Sequence, residues 1–506
     1  MIATPSFFSP NRMARSSSSS SSSSFCLPYF LFLFTITSFS TPIASPVGFG
    51  GVLSVKYKFS GTDRSLSALK AHDDLRNIRM ASGVDIPLGG SGRPDAVGLY
   101  YAKVGIGTPP KDYYVQVDTG SDIMWVNCIL CKECPQTGYH GIPLTLYDLK
   151  NSLTGTKVFC DSQFCIEINA GRTPDCAANV TCLYTEVYGD GSYSLGYFVK
   201  DLVQYDGVSG DLQTMTANQS FIFGCGASQS GDLDSSEHAL DGIVGFGKSN
   251  SSFISQLAAS GTVKKIFAHC LDGVNGGGIF AIGHVVQPKV NTTRLLPNKP
   301  HYNVNMTAVQ VGSEFLNLTT NVSHAGDYKE TIIDSGTTLA YFPDAIYQAL
   351  VKKILWQLDI KLQTLHEQYT CFQHPGSVDD DFPAVTFHFE NSVLLKVYPH
   401  EYLFLFEGLW CLGWQSNGVQ PRDKQDIILL GDLVLSNKLV LYDLEKHVIG
   451  WTEYNCSSSI EIMDEVTGSV HLVGAHSLPS SACDLTIMWL LLVAGFVNFA
   501  LGEMVL

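Results

Sequence analysis

The chain has 506 residues, 14 cysteines and a net charge of −16, with charged residues at only 15%. That length exceeds one small core and suggests two domains plus processing segments. The acidity, with no basic stripe to neutralise phosphates, excludes nucleic acid as a partner.

From the N-terminus, the apolar run "FCLPYFLFLFTITSF" (25–39) stands behind Arg12 and Arg15 and is followed by small residues at Ala44-Ser45. It reads as a secretory signal peptide over 1–44, too short for a membrane anchor. The basic, helix-favouring and cysteine-free stretch "TDRSLSALKAHDDLRNIRMASG" marks 45–95 as a pro-segment. From 96 the chain becomes β-rich: short runs of β-branched and aromatic residues, bounded by Gly, Pro or Asn, predict an all-β protein. The expected helices are few, chiefly 252–260 ("SFISQLAAS") and 345–358 ("AIYQALVKKILWQL").

Within this body one pattern occurs twice. "VQVDTGSDIMWV" places Asp118 after a strand-like run, and "TIIDSGTTLAYF" repeats the setting 216 residues later with Asp334. Each copy is followed downstream by an apolar-Gly segment, "DGIVGFG" (241–247) and "IILLGD" (427–432). A single Asp-Ser/Thr-Gly is an ordinary turn signal, but the doubled context indicates two lobes, 96–295 and 296–456, facing each other.

Two carboxylates brought together cannot both ionise easily and share a proton over acidic pH. One then acts as general base on a water while the other donates to a carbonyl oxygen. Gly120 and Gly336 are expected to let the backbone turn tightly and aim amides at the carboxylates. The hydroxyls of Thr119, Ser121, Ser335 and Thr337 are expected to hold the carboxylates coplanar. Between the two motifs, "YTEVYGDGSYSLGYFV" carries a hairpin signature around Gly189-Asp190-Gly191-Ser192, suited to closing over a cleft. No HExxH metalloprotease signature occurs, and no GxSxG elbow lies in the body. His269 and His388, in strand-like runs, are read as structural.

Cysteines and sequons point to the secretory route. Twelve cysteines lie between Cys128 and Cys456: Cys128, Cys131, Cys134, Cys160, Cys165, Cys176, Cys182, Cys225, Cys270, Cys371, Cys411 and Cys456. Their even number in an exported chain implies disulfides, and no metal site is expected at "CILCKEC". Eight acceptor sequons stand at Asn179, Asn218, Asn250, Asn291, Asn305, Asn317, Asn321 and Asn455. Beyond 456, residues 457–482 read as a polar stalk. The apolar end "LTIMWLLLVAGFVNFALGEMVL" has no Lys or Arg after it, so 483–506 reads as a removable glycosylphosphatidylinositol (GPI) anchor signal in preference to a spanning helix. Ser480 and Ser481 are the candidate attachment residues.

These features together resemble the pepsin-like aspartic peptidases, and within them the plant nepenthesin-like group, GPI-anchored type. The resemblance covers roughly 97–456. It rests on Asp118-Thr119-Gly120-Ser121, Asp334-Ser335-Gly336-Thr337, Trp125, "VYGDGSYSLG", "IVGFG", "LLGD" and the cysteine-rich insert 128–182. It implies a two-lobed fold with an active-site cleft between the lobes, and Asp118 and Asp334 as the catalytic pair. The flap residues Tyr188 and Gly189 would lie over the cleft, with Tyr188 hydrogen-bonded to Trp125, and Cys371 would pair with Cys411. It further implies an acidic optimum, a taste for bulky apolar residues, polypeptide substrates, no cofactor and a monomer at the outer leaflet of the plasma membrane. Two departures are Ser335, where many relatives have Thr, and a longer spacing from Asp118 to Tyr188. Related proteins that keep the scaffold without catalysis supply the alternative, an inhibitor or binding protein.

Overall fold

The computed structural model describes residues 83–91 and 98–476, apart from 139–142, 170–175, 178, 236–238, 262, 317–328, 357–361, 366–368, 418–425 and 465–466. The expected signal peptide, most of the expected pro-segment, the apolar tail, Ser480, Ser481, Asn317 and Asn321 lie outside the described residues. Among the described residues no helix is long and apolar enough to cross a membrane.

The repeated sequence pattern corresponds to a repeated strand arrangement. In the first copy, Lys111–Asp118 carries the aspartate at its C-terminal end, and Gly242–Gly245 lies parallel beside it, with Gly245 opposite Asp118. Gly242–Gly245 also pairs antiparallel with Trp125–Asn127. In the second copy, Lys329–Ile333 leads directly to Asp334, Ile428–Leu430 lies parallel to it, and Ala340–Phe342 pairs antiparallel with Ile428–Leu430. The apolar-Gly segments of the sequence are therefore the inner strands that support each aspartate. They are apolar because buried parallel strands have no wet face: Gly242–Gly245 is buried throughout.

The two halves also share a sheet. Its consecutive strands are Asn291–Arg294, Val448–Glu453, Lys438–Asp443, Ile266–Leu271, Gly278–Ile282 and Val84–Asp85. Lys438–Asp443 and Val448–Glu453, counted from sequence as second-lobe residues, thus pair with the first-lobe strands Ile266–Leu271 and Asn291–Arg294 respectively. Here Phe267 stacks on Tyr442 with ring centroids 4.5 Å apart, and the Tyr302 hydroxyl donates to the Phe246 carbonyl at 2.6 Å. His269 is fully buried with its Nε2 3.1 Å from the Tyr442 hydroxyl, and burial pushes its pKa down to about 3, so it is neutral. His388 Nε2 lies 3.1 Å from Gln310 Oε1.

Both sequence-drawn ends of the body need correction. The stretch assigned to the pro-segment contributes Val84–Asp85, which pairs with Gly278–Ile282 and Tyr193–Gly210, and Leu88–Ser91, which pairs with Leu99–Ile106. Alternation explains it: Val84, Ile86 and Leu88 are all buried. The stretch read as a polar stalk holds a hairpin, Ser459–Met463 with Val470–Gly474, whose first strand pairs with His284–Gln287. Ile460, Ile462 and Val473 are buried there, a short alternating signal masked by polar neighbours. The His476 backbone bridges Gly278, and its ring meets Asp85 at 2.8 Å, so the two ends of the body touch.

The helix expected at 252–260 spans Phe253–Ala259, with the Ser252 side chain accepting from the Ser255 amide. That expected at 345–358 spans Asp344–Ile354, with Trp356 already largely exposed. The twelve cysteines pair as Cys128–Cys225, Cys131–Cys134, Cys160–Cys176, Cys165–Cys182, Cys270–Cys456 and Cys371–Cys411. Asn179, Asn218, Asn250, Asn291 and Asn455 are exposed, whereas Asn305 is half-buried with its amide donating to Glu390 at 2.9 Å.

If the hairpin is part of the core and not a tether, Ile462→Ala should lower unfolding free energy by about 2–5 kcal/mol, the cost of emptying a buried aliphatic site. Chemical denaturation of the purified chain measures it; an unchanged midpoint would return 457–476 to the status of a stalk.

Candidate active site

Asp118 and Asp334 leave the ends of their two strands facing each other, both buried. Each accepts the amide of its own motif glycine: Gly120 to Asp118 Oδ1 at 2.7 Å, and Gly336 to Asp334 Oδ1 at 2.8 Å. Each also accepts a hydroxyl three residues on, Ser121 to Asp118 Oδ2, and Thr337 to Asp334 Oδ2 at 2.8 Å. Four donors on the protein side fix the two carboxyls in matching orientations and leave their remaining lone pairs turned inward.

The glycines serve a purpose beyond the one expected from sequence. Neither has a positive φ, so a tight turn does not demand them. A Cβ on Gly120 would lie 2.6 Å from both oxygens of Asp334, and one on Gly336 would collide with Asp118. Each glycine is the floor on which the opposite carboxylate rests. The hydroxyls also divide their work. Thr119 and Ser335 do not touch the carboxylates: the Ser335 amide donates to Thr119 Oγ1 at 2.9 Å, and the Ser335 hydroxyl donates to the Val117 carbonyl at 3.3 Å. They tie the lobes together beneath the pair, and serine suffices because a hydroxyl is all the second bond needs. Gln116, which the sequence did not single out, adds a further tie by donating from Nε2 to the Gly336 carbonyl at 2.9 Å.

Electrostatics favour one proton between them. Burial, and then the charge of Asp334, push the Asp118 carboxyl well above the usual carboxylate range, against the pull of the Ser121 and Gly120 hydrogen bonds. Neutral at mild acidity, one carboxyl then donates where its ionised partner accepts.

The flap hairpin is formed by Leu183–Val187 and the start of Tyr193–Gly210, with the Tyr188 amide donating to the Ser192 carbonyl at 2.9 Å. Gly191 has φ +87°, the conformation that a glycine accepts without strain, and a Cβ on Gly189 would meet no described atom within 4 Å. Trp125 Nε1 donates to the Tyr188 hydroxyl at 2.7 Å. Structure therefore brings Asp118, Asp334, their glycines and hydroxyls, Trp125 and Tyr188 to one place. Two disulfides of the cysteine-rich insert, Cys160–Cys176 and Cys165–Cys182, pack in one apolar cluster with Trp125 and Tyr184.

One carboxylate was quoted in the sequence motif without a role. Asp432, at the end of "IILLGD", is buried with no hydrogen-bond partner on either oxygen among the described residues. Burial raises its pKa well above the ordinary value, with further contributions from Asp334 and Asp118. An acid directly after a buried strand was the available signal. A group whose folded pKa is raised favours folding while it keeps its proton, and this advantage fades as pH rises past the unfolded value of about 3.9. Asp432→Asn should therefore gain stability relative to the parent as pH climbs from 3 to 7. Thermal unfolding across that range tests it, and a pH-independent difference would show the folded-state pKa of Asp432 to be unshifted from its unfolded value.

Comparison with known proteins agrees with this geometry. Sequence profiles described as "Xylanase inhibitor N-terminal" and "Xylanase inhibitor C-terminal" match residues 100–284 and 301–453. The chain is 50% identical over 432 residues to Aspartic proteinase 36 of Arabidopsis thaliana, covering 85% of this chain and 89% of the relative. It is 48% identical to Aspartic proteinase 39 of the same plant (89% and 95% covered), and 26% identical to Aspartic proteinase nepenthesin-2 of Nepenthes gracilis (76% and 82%). Among solved structures it shares the fold of soybean basic 7S globulin, with TM-score 0.57 and 21% identity over 74% of this chain and 96% of the other. Two facing Asp-Ser/Thr-Gly turns on a two-lobed all-β scaffold, together with these relatives, show that the chain belongs to the plant pepsin-like aspartic protease family.

Proposed function

We propose that the chain is an active aspartic endopeptidase, exported and held at the outer face of the plasma membrane by a GPI anchor. The observation that carries the catalytic part is the reciprocal seating of Asp118 and Asp334, each on the other's glycine and each with an amide and a hydroxyl donor. A protein that only binds has no need for two buried carboxyls held in contact. An extended peptide enters beneath the flap, held partly by main-chain hydrogen bonds. A water between the carboxyls loses a proton to the ionised member and attacks the scissile carbonyl carbon. The protonated member donates to the developing oxyanion, and a proton from the pair goes to the leaving amine as the C–N bond breaks. Tyr188, anchored by Trp125, closes the site against bulk water. Neither metal nor organic cofactor is needed, and one chain suffices.

The anchor reading rests on the tail sequence and the sequons. Removal of residues ahead of the body would release a zymogen, with the cut placed before Val84 because the strands at 84–91 are built into the sheet. The second reading, a binding protein on the same scaffold, draws support from the globulin likeness and from the profile description.

Cleavage of an unfolded protein at pH 3–6 by the anchor-less chain, beside Asp334→Asn, tests the reading. The substitution should cost about 10²–10⁴-fold in rate. No cleavage by either, once the N-terminal segment is removed, would favour the binding protein. Activity should fall towards neutrality as the shared proton is lost; a profile still rising at pH 7 would refute proton sharing. Trp125→Phe, which frees the Tyr188 hydroxyl, should lower kcat/KM about tenfold, the worth of one hydrogen bond, and leave the fold intact.

A further inference from the structure

The flap strand Leu183–Val187 alternates strictly. Leu183 and Val187 point to solvent at 67% and 65% exposure, while Tyr184 is buried and Tyr188 is bonded to Trp125. Glu186 therefore lies on the inner face between the two tyrosines, half-buried. An apolar residue would be expected there. A charge taken out of water without a partner is costly, and such groups are normally paired or neutral.

Glu186 has no hydrogen-bond donor and no cation among the described residues. The Tyr184 hydroxyl is engaged with Ser194 Oγ at 3.0 Å, and the Tyr188 hydroxyl with Trp125. The charged group facing it is another carboxylate, Asp122, from the segment between the first motif and Trp125. Asp122 has its own partners: Oδ1 accepts the Ser249 amide at 2.9 Å, with Lys248 and His301 beside it. The charges of Asp118, on the first motif, and of Glu186, on the flap itself, both raise the Tyr188 pKa, and Asp190 stands at the flap tip. Carboxylates and phenols surround this part of the flap, and Glu186 is the carboxylate there without a partner among the described residues.

On the footing of the peptidase reading above, we propose that Glu186 is a specificity-determining residue that pairs with a lysine or arginine side chain of the substrate. A two-residue step along a strand covers about 6.7 Å, and an extended peptide has the same repeat, so the cationic side chain lies within about two residues of the scissile bond. The pairing is pH-dependent. Burial, with a further contribution from Asp122, raises Glu186 to about 7 in the free protein. Below that it is protonated and accepts apolar side chains, and a bound ammonium favours the ionised form. Selection for a basic residue therefore strengthens as pH rises.

The test uses peptide pairs that differ only by lysine or norleucine, scanned over three positions on each side of the cut, at pH 4 and pH 6.5. At one position lysine should be favoured in kcat/KM by about tenfold at pH 6.5, the worth of one charge-assisted hydrogen bond, and by much less at pH 4. Glu186→Gln should bring that ratio close to one at both pH values, and Glu186→Asp should keep part of it. No favoured position, a preference that survives Glu186→Gln, or a ratio indifferent to pH would each overturn the proposal. If the parent chain cleaves nothing, calorimetric binding of the same peptides decides: a lysine preference lost in Glu186→Gln sustains the role of Glu186 although the peptidase reading has failed, and equal affinities refute it.

Discussion

Two carboxyl groups buried in contact repel each other whenever both are ionised, and the molecule is organised to hold them in contact despite that. The restraint comes from pairs of interactions that cross between the halves of the chain. Ser335 reaches Thr119 and Val117, Gln116 reaches Gly336, and each motif glycine leaves room for the opposite carboxylate. Loss of any of these lets the pair separate, and separated aspartates would ionise independently and lose the shared proton.

The same constraint accounts for the supporting sheets. A carboxylate can be aimed only as well as its strand is fixed, and each aspartate strand is flanked by a buried parallel strand from the second part of its repeat. Beneath both, strands from the two halves share one sheet, with aromatic stacking between Phe267 and Tyr442 and the Cys270–Cys456 disulfide across it. Val84–Asp85 lies inside the shared sheet between Gly278–Ile282 and Tyr193–Gly210, Leu88–Ser91 pairs at its end, and the hairpin at 459–474 forms a separate three-stranded sheet with His284–Gln287. Acids with raised pKa recur around the site: Asp432 is buried without a hydrogen-bond partner among the described residues and feels the charges of Asp334 and Asp118, and Glu186 lies half-buried on the flap strand. Groups of this kind suit a protein that works where carboxyls keep their protons.

Legibility followed the strength of local pattern. Asp118 and Asp334 could be found because each is a polar residue in an apolar strand context, repeated with its supporting segment. The flap was legible from glycines at a hairpin tip. The edges of the body were not, since Val84–Ser91 and Ser459–Gly474 alternate over only a few residues and lie in polar surroundings. Glu186 was passed over because a glutamate in a hairpin arm looks like any solvated charge until the strand's facing is known.

By itself the sequence determined the β-rich composition, the doubled motif and the presence of enough cysteines for six disulfides, because each depends on residue type and short-range periodicity. Only the tertiary structure decided which cysteines pair, that the motif glycines are needed for the opposite carboxylate and not for their own turn, that Asp432 lacks a partner, and that Glu186 faces inward. Those are contacts between residues far apart in the chain, and proximity across a fold leaves no mark on the local pattern of either partner.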